Sequence, residues 1–87
     1  MPPAAFYHQD SEAVRFWVPI AEGFIGASIR RAVLQYRFRP PGSEEEPIDT
    51  YTRHAAELDA AVQRRVAHGS IEPVMLRDFD LEPRRGN

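Results

Sequence analysis

A catalyst or metal site in this chain would have to be built from three histidines, four serines and a scatter of carboxylates. Cysteine and lysine are both absent, all 11 basic residues being arginine. Disulfides, thiolate ligands, cysteine nucleophiles and Schiff-base lysines are therefore excluded. His54 and Glu57 are three apart and would share one face of a helix, but two ligands fall short of the three or four protein donors that hold a metal. His68 would lie roughly 21 Å farther along the same helix and cannot join them. Ser11, Ser28, Ser43 and Ser70 have no nucleophile-elbow context, and Gly23 and Gly26 do not form a phosphate-cradling turn opening a helix. No catalytic, cofactor-binding or metal-binding residue is expected, no cofactor is implied, and the chain does not read as an enzyme.

Two groups of residues have binding chemistry instead. Arg30, Arg31, Arg37 and Arg39 interleave with Tyr36 and Phe38, and basic residues among aromatics can hold phosphate and stack bases. Against this, the same arginines suit a solvated helix face balanced by Glu44, Glu45 and Glu46. The second group is Trp17, Phe24 and Met75, whose meaning depends on the strands that carry them.

Val14 to Val18 alternates, with Val14, Phe16 and Val18 on one side and Arg15 and Trp17 on the other, the period-two pattern of a half-buried strand that Pro19 is expected to end. After the loop Ile20-Ala21-Glu22-Gly23, in which Gly23 can take the positive φ of a hairpin, Phe24 to Ile29 returns with Ile25, Ala27 and Ile29 on its apolar side. Gly26, in mid-strand, marks a bulge or a close approach by another backbone. Val74 to Arg77 reads as a third strand, entered from Pro73. If the apolar sides of all three face the core, Trp17, Phe24 and Met75 lie on the opposite side. Unless Phe6 and Tyr7 fold over them, they make an exposed apolar patch of the kind that marks a partner.

The cover for the inner side is a helix. From Pro47 to His68, Ile48, Tyr51, Ala55, Leu58, Val62 and Val66 recur at steps of three and four, one stripe at helical pitch. Pro47 suits a first helical position, Arg64, Arg65 and His68 suit the negative end of the dipole, and Gly69 supplies a left-handed stop. A shorter helix is predicted over Arg30 to Phe38, ended by Arg39-Pro40-Pro41-Gly42. The expected fold is α+β: a two-layer sandwich of a small antiparallel sheet under one long and one short helix, in the order β-β-α-α-β, with at most a short extra strand near Phe6. One domain is expected over residues 1–87, with its core between about 13 and 80, flexible residues 1–5 and a frayed tail from Leu81 to Asn87.

A net charge of -2 gives no reason to expect a general nucleic-acid or membrane binder. No apolar run approaches the roughly 20 residues that span a bilayer. The start, MPPAAFYHQD, lacks a basic flank followed by an apolar core, so no secretory signal is expected and a cytoplasmic location follows as the expectation.

From Val14 to Phe79 the chain resembles a family of small bacterial proteins of unknown function, on the strand VRFWV, the segment GASIRRAVLQYRF and the run HAAELDAAVQRRVAHGSIEPVMLRDFD. The resemblance implies a compact α+β domain with the same element order and carries no catalytic residue across. It departs at Arg30, where relatives have a small capping residue. The reading that results is a non-enzymatic protein-interaction or homodimerising domain acting through Trp17, Phe24 and Met75. The alternative is a nucleic-acid or phosphate-binding module using Arg30, Arg31, Arg37 and Arg39.

Overall fold

The computed structural model describes residues 4–38 and 45–81 of the 87. In chain order the elements are β1 (Phe6–His8), β2 (Ala13–Ile20), β3 (Gly23–Arg30), α1 (Arg31–Phe38), α2 (Pro47–Arg53), α3 (Ala55–Ala67) and β4 (Val74–Leu76), followed by a 3-10 turn over Asp78–Leu81. The expected stop at Arg39 to Gly42, Ser43, Glu44 and the tail beyond Leu81 lie outside the described residues, as does the start before Ala4.

The α+β class holds, but the order is β-β-β-α-α-α-β rather than β-β-α-α-β. The sheet is also mixed, not antiparallel. Its strands lie in the order β1-β2-β3-β4, with β1 and β3 antiparallel to β2 and with β4 parallel to β3. The cause is the path of the chain. Leaving β3 it runs through three helices in the second layer before re-entering the sheet, so β4 points the same way as β3.

Pro19 does not end β2 but sits inside it, opposite Phe24. β1 pairs only with Ala13 to Arg15, so on that side β2 is unpaired by the time it reaches Pro19, and the missing N–H costs no ladder bond. The hairpin closes at Ile20–Gly23 around two residues, with Gly23 at φ 130°. Core packing follows the alternation. Val14, Phe16, Val18, Ile25, Ala27, Ile29, Val74 and Leu76 are buried together against Leu34, Leu58, Ala61 and Val62 of the helices. Leu81, expected in a frayed tail, belongs to the same core at 2% exposure.

The long helix is interrupted at His54, whose φ of -117° and ψ of 21° leave the helical region. Its N–H reaches both Thr50 O and Tyr51 O, while Leu58 N–H returns to His54 O, so the stripe continues through a kink. Thr52 Oγ1 donates to Ile48 O at 2.8 Å, a back-bond of the kind that bends helices. The His54 ring stacks on Phe38 with centroids 3.9 Å apart, which ties the kink to the end of α1. At the other end of α1, Arg31 N–H donates to Glu12 O at 2.8 Å.

The C-terminal end of α3 is fastened to β4 by Arg65. Its guanidinium donates to Met75 O at 3.1 Å, Ser70 Oγ at 3.0 Å and Asp80 Oδ2 at 2.7 Å. Asp80 Oδ2 accepts a further bond from Arg77 N–H at 2.9 Å.

Candidate interaction site on the outer face of the sheet

The inner faces of β2 and β3 are covered by helices, and among the described residues no helix covers their outer faces. Register sets out the outer side chains in rows. Arg15 of β2 lies beside Ser28 of β3 and Met75 of β4; Trp17 lies beside Gly26; Pro19 lies beside Phe24; Ala13 lies beside Arg30. Along β3 the middle of this face carries only Gly26 and Ser28, between long side chains on both neighbours. A trough follows directly from that difference in size. It encloses about 540 Å³, with Trp17 and Arg15 on one wall, Pro73 and Met75 on the other, and Arg30 at one end.

Glu72 closes the trough at the Gly26 level. β4 begins only opposite Ala27, so Gly26 has no strand partner on that side, and its N–H donates to Glu72 Oε2 at 2.8 Å instead. A Cβ on Gly26 would stand 2.7 Å from that oxygen. The glycine does mark a close approach, but by a carboxylate from 46 residues away rather than by another backbone.

The structure puts Trp17, Phe24 and Met75 on this face. Phe24 is 50% and Met75 53% exposed. Trp17 is half-buried, because Phe6 of β1 stacks against it with centroids 6.1 Å apart and planes 30° from parallel. Tyr7 points the other way and packs at the margin of the core. The N-terminal strand therefore shields the indole and leaves Phe24 and Met75 open.

The arginines of the first group fall on two elements, Arg30 on β3 and Arg31 and Arg37 on α1. Arg30, the last residue of β3, lines the trough with Arg15, which the sequence reading had left out. Arg31 is exposed and Arg37 half-buried on α1, and six positions at about 100° each put them on different sides of the helix. Arg39 lies outside the described residues. What brings Arg15 and Arg30 together is the β2–β3 register, in which each is a diagonal neighbour of the other across about 7–8 Å.

The remaining candidates for chemistry are occupied elsewhere. No group of three or more His, Asp or Glu among the described residues is placed to hold a metal. His8 Nδ1 is 2.7 Å from Ser11 Oγ and also accepts Ser11 N–H at 3.2 Å, so this exposed pair closes the turn between β1 and β2. On the helix layer, Asp59 Oδ1 is shut off from solvent with no hydrogen-bond partner among the described residues. Burial raises the Asp59 carboxyl above the ordinary range. The Tyr51 hydroxyl is raised as well, first by burial and then by the charge of Asp59. No described helix is long and apolar enough to cross a membrane. No protein-family model matches the chain, and neither curated proteins nor solved structures give a match.

Proposed function

We propose that this chain is a non-enzymatic interaction domain that self-associates through the outer face of its sheet. The observation that carries the reading is the pairing of half-exposed Phe24 and Met75 with a charge pattern suited to a second copy. Glu72 lies toward the hairpin end of the face, and Arg30 and Arg77 lie toward the other. Two copies packed face to face about a two-fold axis, with strands antiparallel, bring each acidic end against the partner's basic end. They also cover both apolar patches, the self-complementarity a two-fold interface requires. Strands of three, eight, eight and three residues give a footprint of roughly 350 Å² at ordinary strand spacing and rise. That is below the roughly 800 Å² per partner of standard interfaces, so the association is weak. A cytoplasmic, bacterial setting belongs to the same reading, and the family resemblance adds no site residue to it.

Sedimentation velocity across a concentration series tests the proposal. The expected result is a monomer–dimer equilibrium that Phe24→Arg abolishes while leaving the circular dichroism spectrum unchanged. A parent protein that stays monomeric at the highest concentration, or a Phe24→Arg variant that dimerises equally, overturns it.

The nucleic-acid alternative is less well supported, because Arg30 ends a strand while Arg31 and Arg37 lie on different sides of α1.

A further inference from the structure

We infer that the trough between β2 and β4 is a binding site for a small organic anion with a flat apolar body. The inference goes beyond self-association and does not need it, since every wall of the trough comes from one chain. A volume of about 540 Å³ lies within the roughly 300–1,000 Å³ of ordinary ligand pockets. Its floor is the backbone of Ala27 and the short side chain of Ser28, low enough between their neighbours for a ring to lie on, while the Glu72 carboxylate covers Gly26. Trp17 and Met75 line the trough from the two strands flanking β3, offset by two positions, an indole and a thioether that both favour contact with an aromatic ligand.

Charge selects the ligand's sign and its direction. The arginines with side-chain bonds among the described residues are Arg53, Arg64 and Arg65, each committed to holding the fold. Arg15 and Arg30 make neither an ion pair nor a side-chain hydrogen bond among the described residues, yet both line the trough. Two uncommitted guanidinium groups on diagonal positions can converge on one carboxylate or phosphate, for which their forked donors are suited. Ser28, directly beside Arg15, adds a hydroxyl at the same level. Asp10 stands at the rim near Arg30 without pairing with it, and Glu72 is bound to the Gly26 N–H at the far end. An anionic group is thereby drawn to the Arg15–Arg30 end and repelled from the Glu72 end, so the apolar body lies over Ser28 between Trp17 and Met75, short of the carboxylate that covers Gly26.

The test uses 2-naphthoate as probe and the full chain at a concentration where sedimentation finds it monomeric. The single tryptophan gives one indole N–H resonance, which reports on the trough without assignment of the rest of the spectrum. The expected result is a saturable shift of that resonance with 2-naphthoate and a much weaker response to neutral 2-naphthylmethanol. Affinity should fall about ten-fold in Arg15→Gln and again in Arg30→Gln, as expected for the loss of charged hydrogen bonds, while Arg37→Gln on α1 binds as the parent does. Both substituted positions are exposed, so the variants keep the fold, which circular dichroism checks. Equal binding of the neutral analogue, unchanged binding by the double variant, an equal loss in Arg37→Gln, or no shift at millimolar probe overturns the inference. Sedimentation reads self-association and the indole shift reads the ligand, so either reading can fail while the other stands.

Discussion

β2 and β3 present two faces built from alternate residues of the same sixteen positions, and the two faces have opposite physics. On the inner side Val14, Phe16, Val18, Ile25, Ala27 and Ile29 are each at most 8% exposed, and their contacts are with helices. On the outer side Arg15, Phe24 and Arg30 are exposed, Trp17 is half-buried, and Gly26 and Ser28 leave a trough. Folding needs only one of these faces. Burial of the inner one supplies the apolar area that holds two layers together, at about 25 cal/mol per Å². Large apolar side chains on the other face contribute little of that. They lie beside Arg15 and Arg30, which make no ion pair among the described residues, and that combination is the basis of both binding proposals.

The largest test of this contrast is a pair of adjacent substitutions. Phe16→Ala removes a ring that is 1% exposed and lies 4.8 Å from the Tyr51 ring, so a loss of about 3–5 kcal/mol in urea unfolding is expected. Trp17→Ala, the next residue, removes a larger side chain but only an outer stack on Phe6, and should cost about 1 kcal/mol. Equal losses at the two positions would mean that the outer face is part of the core after all, and the distinction would break.

A smaller effect concerns the edge where the two faces meet. β4 is an edge strand, and Arg65 occupies it by donating to Met75 O while pairing with Asp80, whose side chain is only 9% exposed. Arg65→Ala leaves that carboxylate with the Arg77 N–H alone. A cost of roughly 1–3 kcal/mol is expected, since a charged acceptor loses its strongest partner. Exposure of the strand edge should also raise aggregation on heating, measurable by light scattering. Unchanged stability in this variant would show that the edge is held by packing rather than by the guanidinium.

The division into faces was readable from the chain because it depends on local alternation: VRFWV and IGASI each show which residues turn inward. The helical stripe from Ile48 to Val66 was readable for the same reason, although its interruption was not. A stripe survives a kink, and the signs of the kink were only two threonines whose hydroxyls compete for backbone groups. β1 escaped periodicity because three residues cannot display a period. The direction of β4 is set by the path of three helices, which no local pattern records. The site was the least legible part. Trp17, Phe24 and Met75 could be assigned to a face, but Arg15 joins Arg30 only through strand register, and Glu72 reaches Gly26 across 46 positions. The grouping of Arg30 with Arg31 and Arg37 by sequence likewise carried no sign of the change from strand to helix that falls between Arg30 and Arg31.

The smallest expected effect lies on the helix layer that covers the inner face, and it has a definite sign. Asp59 is raised by burial, and its Oδ1 has no partner among the described residues, so the folded state tolerates the neutral acid better than the carboxylate. A carboxyl raised on folding adds stability below its unfolded value, about 3.9, and loses it as pH climbs through the folded value. At neutral pH the parent therefore carries the full cost of the charge. Asp59→Asn should be more stable than the parent at pH 7, with the gain shrinking on acidification and vanishing below about pH 3.9, where both states of the parent are protonated. Urea unfolding at pH 7, 5 and 3.5 measures the trend. A second readout separates charge from packing, because the Asp59 charge contributes to the raised Tyr51 hydroxyl. In Asp59→Asn, Tyr51 should titrate lower than in the parent while staying above its ordinary value, burial being the larger cause. A pH-independent gain with Tyr51 unmoved would assign the effect to shape alone. A shielded carboxylate in the helix layer, set against Arg15 and Arg30 exposed on the outer face, is the contrast this experiment makes sharpest.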